Sequence, residues 1–219
     1  MLNFLNGYSN AVCLDDARFR TIFKSGEKKA DFLLFNETTV CEYKEIKNFD
    51  APKRVEHLAK KGVTSGSSFE RDFYNQIKKV LSVANQQIKK TKEVLDKPGA
   101  LGLVIIENQI PINLSVIAPI HAAERKMKNG LDCVDAVLCL DFLNTFVDEN
   151  GSRIHPTQLV TRNTDRSKNL FQLVGSLLED FSTSRNTTLQ HDFNISNANQ
   201  TWVIDPSGCY KSFRATINK

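Results

Sequence analysis

Two apolar runs lie close together near the start of the chain, Phe32-Leu33-Leu34-Phe35 and Val40-Cys41-Glu42-Tyr43-Lys44-Glu45-Ile46, separated by the polar stretch Asn36-Glu37-Thr38-Thr39. That turn is short enough for a β-hairpin. Alternation along the second run puts Val40, Glu42, Lys44 and Ile46 on one face. From about Ser68 to Asp96 the period changes: Phe69, Phe73, Ile77, Val80, Ala84, Ile88 and Leu95 recur every three or four residues, which predicts a long amphipathic helix. Ser67 or Ser68 can cap its start, and Pro98-Gly99 stops it. Leu101 to Ile106 is a continuous apolar run and predicts a strand buried on both faces. Residues 114 to 128 predict a helix that Pro119 would allow to begin only at 119, and Cys133 to Leu140 a second buried strand. Arg20 to Lys24 predicts a short strand before the hairpin. Further on, Ile154 to Arg162 predicts a strand. Leu170 to Phe181 predicts a helix with Leu173, Val174, Leu177 and Leu178 inward, and Trp202 to Ile204 a last short strand. The order strand, hairpin, helix, strand, helix, strand belongs to an α/β fold with a mixed sheet flanked by helices. Residues 1–150 form the expected core and 151–219 a C-terminal elaboration of the same domain.

Composition narrows the class without naming it. Of 219 residues, 41% are apolar and 25% charged, enough for a sizeable core and ordinary for a globular chain. The net charge of +4 is uneven: residues 1–100 hold 18 Lys/Arg against 13 Asp/Glu, and the remainder 11 against 12. The basic half favours a polyanionic partner. The five cysteines, Cys13, Cys41, Cys133, Cys139 and Cys209, include no C-x-x-C pair, and three of them fall in apolar runs, as expected of buried thiols in a reducing compartment. The four histidines are scattered, which argues against zinc. No basic leader and no run of the ~20 apolar residues needed to span a bilayer is present. A cytoplasmic protein with no membrane partner is expected.

The chemistry concentrates in the hairpin. Asp31 heads its first strand, and Glu42 and Lys44 share a face of the second, so two carboxylates and an amine converge at one end of a small sheet. Divalent cations and the water used in phosphodiester hydrolysis are held by such groups. Glu45 falls on the opposite face. The combination of an acid on one strand and Glu-x-Lys on the next resembles the PD-(D/E)XK nuclease superfamily over residues 15–141, with Ala30 where that motif usually has proline. The resemblance implies a restriction-endonuclease-like core. It also implies that Asp31, Glu42 and the Tyr43 carbonyl bind Mg²⁺ or Mn²⁺, and that Lys44 orients or deprotonates the attacking water. Asp15, Asp16 and Glu27 are the available acids for a fourth ligand, and the sequence does not choose among them. On the long helix, Gln87 is the candidate for reaching the water or phosphate, with Gln76 second. Crowding of carboxylates in the metal-free site should raise the pKa of one of them.

The expected function is metal-dependent hydrolysis of nucleic acid, DNA ahead of RNA, in a defence or mobile-element context. Lys79 and Lys90 on the long helix, and Lys53 and Arg54 in the basic stretch before it, are the candidate backbone contacts. The alternative is a non-catalytic nucleic-acid-binding or partner-interaction protein on the same scaffold. Strandedness, sequence specificity and oligomeric state, whether homodimer or complex with a partner protein, stay open.

Overall fold

A computed structural model describes residues 1–24, 26–47, 60, 66–109, 117–142, 146–147, 153–154, 157–162 and 164–185. Six strands form one mixed sheet: β1 (Ala11–Cys13), β2 (Phe32–Leu34), β3 (Thr39–Ile46), β4 (Leu101–Asn108), β5 (Ala136–Asp141) and β8 (Thr157–Thr161), adjacent in that order. Two short strands, β6 (Phe146–Val147) and β7 (Arg153–Ile154), pair with each other. The hairpin is antiparallel, with Phe32 opposite Cys41 and Leu34 opposite Thr39. β3, β4 and β5 run parallel, with Glu42 beside Val104 and Lys44 beside Ile106. β8 returns antiparallel to β5. The main helices are α1 (Leu2–Leu5), α2 (Gly66–Val94), α3 (Ile117–Asn129) and α4 (Asp165–Arg185).

Each face of the sheet has its own core. On one face, Leu33, Val40, Ile46, Val104, Ile106, Val137 and Cys139 meet Ile77, Leu81, Ala84 and Ile88 of α2 and Ile120, Ala123 and Met127 of α3. On the other, Phe32, Leu34, Cys41, Tyr43, Leu103, Ile105 and Leu138 meet α1 and Leu170, Val174, Leu177, Leu178 and Phe181 of α4. Every residue of β4 and β5 is buried, as their unbroken apolar runs require. The structure is therefore an α/β protein with an open six-stranded sheet and flanking helices. β8 and α4 complete the sheet and cover its second face. No helix among the described residues is long and apolar enough to cross a membrane.

Several elements differ from expectation in physically legible ways. Arg20 to Lys24 is not a strand. A short 3-10 helix, Ala17–Phe19, leads into a turn in which Phe23 N–H donates to Phe19 C=O, and the two phenylalanines, four apart, both face the core. The first strand is Ala11–Cys13 instead. Cys133 lies before β5 rather than in it and is only partly buried, whereas Cys41 and Cys139 are buried thiols. α2 begins at Gly66, and its buried line runs through Leu81 rather than Val80. α3 begins at Ile117, so Pro119 occupies the first turn, where no intrahelical hydrogen bond needs its missing N–H. The stretches carrying Trp202 to Ile204, Cys209, Lys53 and Arg54 lie outside the described residues.

Candidate active site

The hairpin brings its two acids together because β3 continues beyond the end of β2. At Phe32 opposite Cys41 the strand pairing ends, apart from one further bond from Asp31 N–H to Cys41 C=O. Two residues on, the Tyr43 N–H has no strand partner on that side, and Asp31 Oδ2 accepts it at 2.8 Å. In an extended strand a residue's N–H and C=O point the same way, so the Tyr43 carbonyl also faces the Asp31 side of β3. Asp31 C=O accepts from Leu14 N–H at 2.8 Å, which ties the site to the end of β1.

Glu42 is completely buried under α2, on the same sheet face as Val40, Lys44 and Ile46. The Lys44 ammonium forms a close ion pair with Glu42 Oε1. Neither Glu42 oxygen otherwise receives a well-directed hydrogen bond. Burial raises its pKa to about 7, the Asp31 charge adds to the rise, and Lys44 and then the Gln87 amide oppose it. Asp31 is also raised, first by burial, while the Tyr43 N–H and Lys44 pull the other way. Both acids of the metal-free pair thus shift upward, as crowded and desolvated carboxylates must.

The back of the sheet holds Tyr43 in place. Its hydroxyl donates to Glu107 Oε2 and lies 3.1 Å from Glu45 Oε1, and burial together with the Glu107 hydrogen bond raises its pKa. Gln109 Nε2 donates to Glu107 Oε1 at 2.9 Å. Locking this side chain also locks the peptide whose N–H grips Asp31. Glu45 faces this side, away from Glu42, and pairs with Lys47.

The other expected residues separate into those the fold brings in and those it does not. Gln87 reaches the site, with Nε2 donating to Lys29 C=O at 2.8 Å. Gln76 lies three turns earlier on α2, about 16 Å along the axis. Lys90 does not project freely toward a ligand: its ammonium is 3.0 Å from Glu27 Oε1. Lys79 is exposed on α2. Of the three candidate fourth ligands, Asp16 caps the 3-10 helix by accepting Arg18 N–H, and Glu27 is held by Lys90 and by Lys24 N–H. Asp15 is exposed, sits 2.7 Å from Lys29 Nζ, and its charge is felt by Asp31.

An all-oxygen set of Asp31, Glu42 and the Tyr43 carbonyl suits a hard divalent cation. The buried Glu42 oxygens that lack directed donors are what such a set would show without its ion. Among the described residues no group of three or more His, Cys, Asp or Glu side chains comes together, so the carboxylates available number two. Sequence reasoning missed Thr91 and the Lys29–Ala30 peptide it binds. It also missed the buried pair at the ends of β4 and β5, where Asn108 Nδ2 donates to Asp141 Oδ2 at 2.9 Å. The place of Thr91 in line with Ile77, Ala84 and Ile88 on the apolar side of α2 was the one signal available for it.

Fold and site together define an α/β protein whose mixed sheet carries a buried glutamate, a half-buried aspartate and a lysine at one end of its hairpin. No protein-family model, curated protein or solved structure matches the chain.

Proposed function

We propose that this chain is a metal-dependent nuclease that hydrolyses phosphodiester bonds of nucleic acid, DNA first, with Asp31, Glu42 and Lys44 at its centre. The observation that carries this reading is a fully buried glutamate with undersatisfied oxygens beside both an aspartate and a lysine. An isolated buried carboxylate is costly, and a fold retains one where it serves chemistry. A restriction-endonuclease-like core is supported by the antiparallel hairpin followed by parallel strands reached through α2 and α3.

In this reading Asp31, Glu42 and the Tyr43 carbonyl hold Mg²⁺ or Mn²⁺. When bound, such an ion supplies positive charge at the phosphate and acidifies water. Lys44, two positions from Glu42 on the same face, orients the attacking water and offsets negative charge developing on the phosphate. Gln87 flanks Glu42 and fixes the backbone ahead of Asp31. A second reading, a non-catalytic nucleic-acid-binding or partner-interaction protein, is favoured by one fact: Lys44 already serves Glu42 as a counter-ion.

Plasmid, linear duplex, single-stranded DNA and RNA, each incubated with Mg²⁺, Mn²⁺ or EDTA, separate the two. Cutting that needs metal and falls about 100-fold or more in Asp31→Ala and Lys44→Ala is expected. Nucleic-acid binding without cutting supports the second reading. A folded protein that neither cuts nor binds Mn²⁺ rules the nuclease out.

A further inference from the structure

One peptide group just ahead of Asp31 is held at both ends by a single turn of α2. The Lys29–Ala30 peptide offers its carbonyl to Gln87 Nε2 at 2.8 Å and its N–H to Thr91 Oγ1 at 2.8 Å. Gln87 and Thr91 are four apart and so lie above one another on the same helix face. Thr91 is completely buried, and so, almost, is Ala30. Between them Lys90 pairs with Glu27, so the same turn also holds the approach to this peptide. The grip comes from the helix layer, whereas Asp31 itself is held by strand neighbours: its N–H by Cys41, its C=O by Leu14, and its carboxylate by Tyr43. The peptide ahead of Asp31 is therefore where the helix and the hairpin are fastened to each other, one residue from the acid. The fastening depends on an amide hydrogen at position 30.

We infer that Thr91 is a positioning residue for the Asp31–Glu42 pair, acting through the Lys29–Ala30 peptide. The inference rests on the metal-site reading above. Thr91 touches neither acid. Its hydroxyl fixes the plane of the peptide one residue ahead of Asp31, while Gln87, one turn away, fixes the same plane and flanks Glu42. Losing the hydroxyl frees one end of that plane and lets Asp31 drift relative to Glu42, which is fixed by burial. Two carboxylates must meet one small cation at closely matched distances, so such drift weakens metal binding even where the fold survives. Outer groups of this kind change metal affinity by about 10- to 100-fold.

The test is Mn²⁺ affinity by calorimetry on the full chain, well below the unfolding temperature. Thr91→Val keeps the volume and removes the acceptor; Thr91→Ser keeps the acceptor and removes a methyl group. Val174→Ala in the opposite layer serves as a destabilised control with the site untouched. About 10-fold weaker Mn²⁺ binding in Thr91→Val, recovered in Thr91→Ser and absent from the control, is the expected result. If Thr91→Val does not fold, Thr91→Ala against Thr91→Ser makes the same comparison. Equal affinity in the folded valine (or alanine) and serine variants would overturn the positioning role and leave the nuclease reading standing. A wild-type protein that binds no Mn²⁺ would overturn both.

Discussion

Glu42→Gln is expected to make the metal-free protein more stable at pH 8 and, on the nuclease reading, to remove most of the metal-dependent cleavage. The acid is completely buried and its pKa is raised to about 7, against an ordinary value of 4.5. A carboxyl with a raised folded-state pKa binds protons more readily in the native state than in the unfolded chain. The native state is therefore favoured below about pH 4.5, loses stability as the pH climbs from there to about 7, and is level beyond. With one pKa unit worth about 1.4 kcal/mol, the loss by pH 8 is about 3 kcal/mol. Asp31 shifts in the same direction and steepens the slope, whereas the lowered acids Glu27, Glu45, Asp132 and Asp165 lie at or near the surface and offset little of it. Glutamine keeps the shape and removes the charge. Metal-free Glu42→Gln should accordingly unfold at higher urea than wild type at pH 8, the two should converge below about pH 4.5, and on the nuclease reading cleavage should fall about 1,000-fold. On the metal-site reading, saturating Mn²⁺ should stabilise wild type selectively, because only the native state would offer the site. A wild-type stability that rises with pH between 5 and 8 would show that Glu42 is an ordinary ion-pair partner of Lys44.

Among the described glycines, Gly102 is where an added methyl (Gly102→Ala) should do the most damage. A Cβ at Gly102 would stand 1.9 Å from the Cys133 carbonyl oxygen and 3.1 Å from Val134 Cα. Both obstacles are backbone, so no side chain can swing aside. The contact is also tethered: Gly102 N–H donates to Asp135 Oδ2 at 2.8 Å, and Gly102 C=O accepts from Asp135 N–H at 2.7 Å. Accommodating the methyl means separating β4 from the segment leading into β5, at a cost of about 3 kcal/mol or more. Because Gly102 lies beside Val40 on β3, the displacement reaches the strand that carries Glu42, and on the metal-site reading Mn²⁺ affinity should fall with stability. Gly175→Ala gives the contrast. That glycine lies within α4 with nothing near its would-be Cβ, so alanine should add about 0.5–1 kcal/mol through helix propensity. Urea unfolding of the three proteins checks both signs. A mild loss at Gly102 would mean the strand yields more readily than its two tethers to Asp135 suggest.

Much of this fold was legible because its signals are local. The hairpin, α2, β4 and α4 each rest on a period or an unbroken apolar run within one segment, and the structure has an element at each of these places. The face shared by Glu42 and Lys44 follows from strand alternation alone. Where two periods compete, the local signal fails: Phe19 and Phe23 are spaced as in a helical turn, but Arg20 to Lys24 is also rich enough in strand formers to suggest a strand. The roles of polar residues were the least legible. Gln87 stands at the edge of an apolar arc whatever it binds. Lys90 looks the same in sequence whether it meets a phosphate or Glu27.

By itself the sequence determined the order and type of the main elements, the burial of the central strands and the three residues Asp31, Glu42 and Lys44 on one hairpin. Those properties follow from periodicity and chain connectivity, which act over a few residues. The tertiary structure decided that β8 and α4 close the sheet, that Asp31 is gripped by the Tyr43 N–H, and that Glu42 is buried enough to titrate near neutrality. It also decided that Thr91 binds a peptide 61 positions away. Desolvation and hydrogen bonding between distant segments depend on which elements meet in space, and no local pattern encodes the partner.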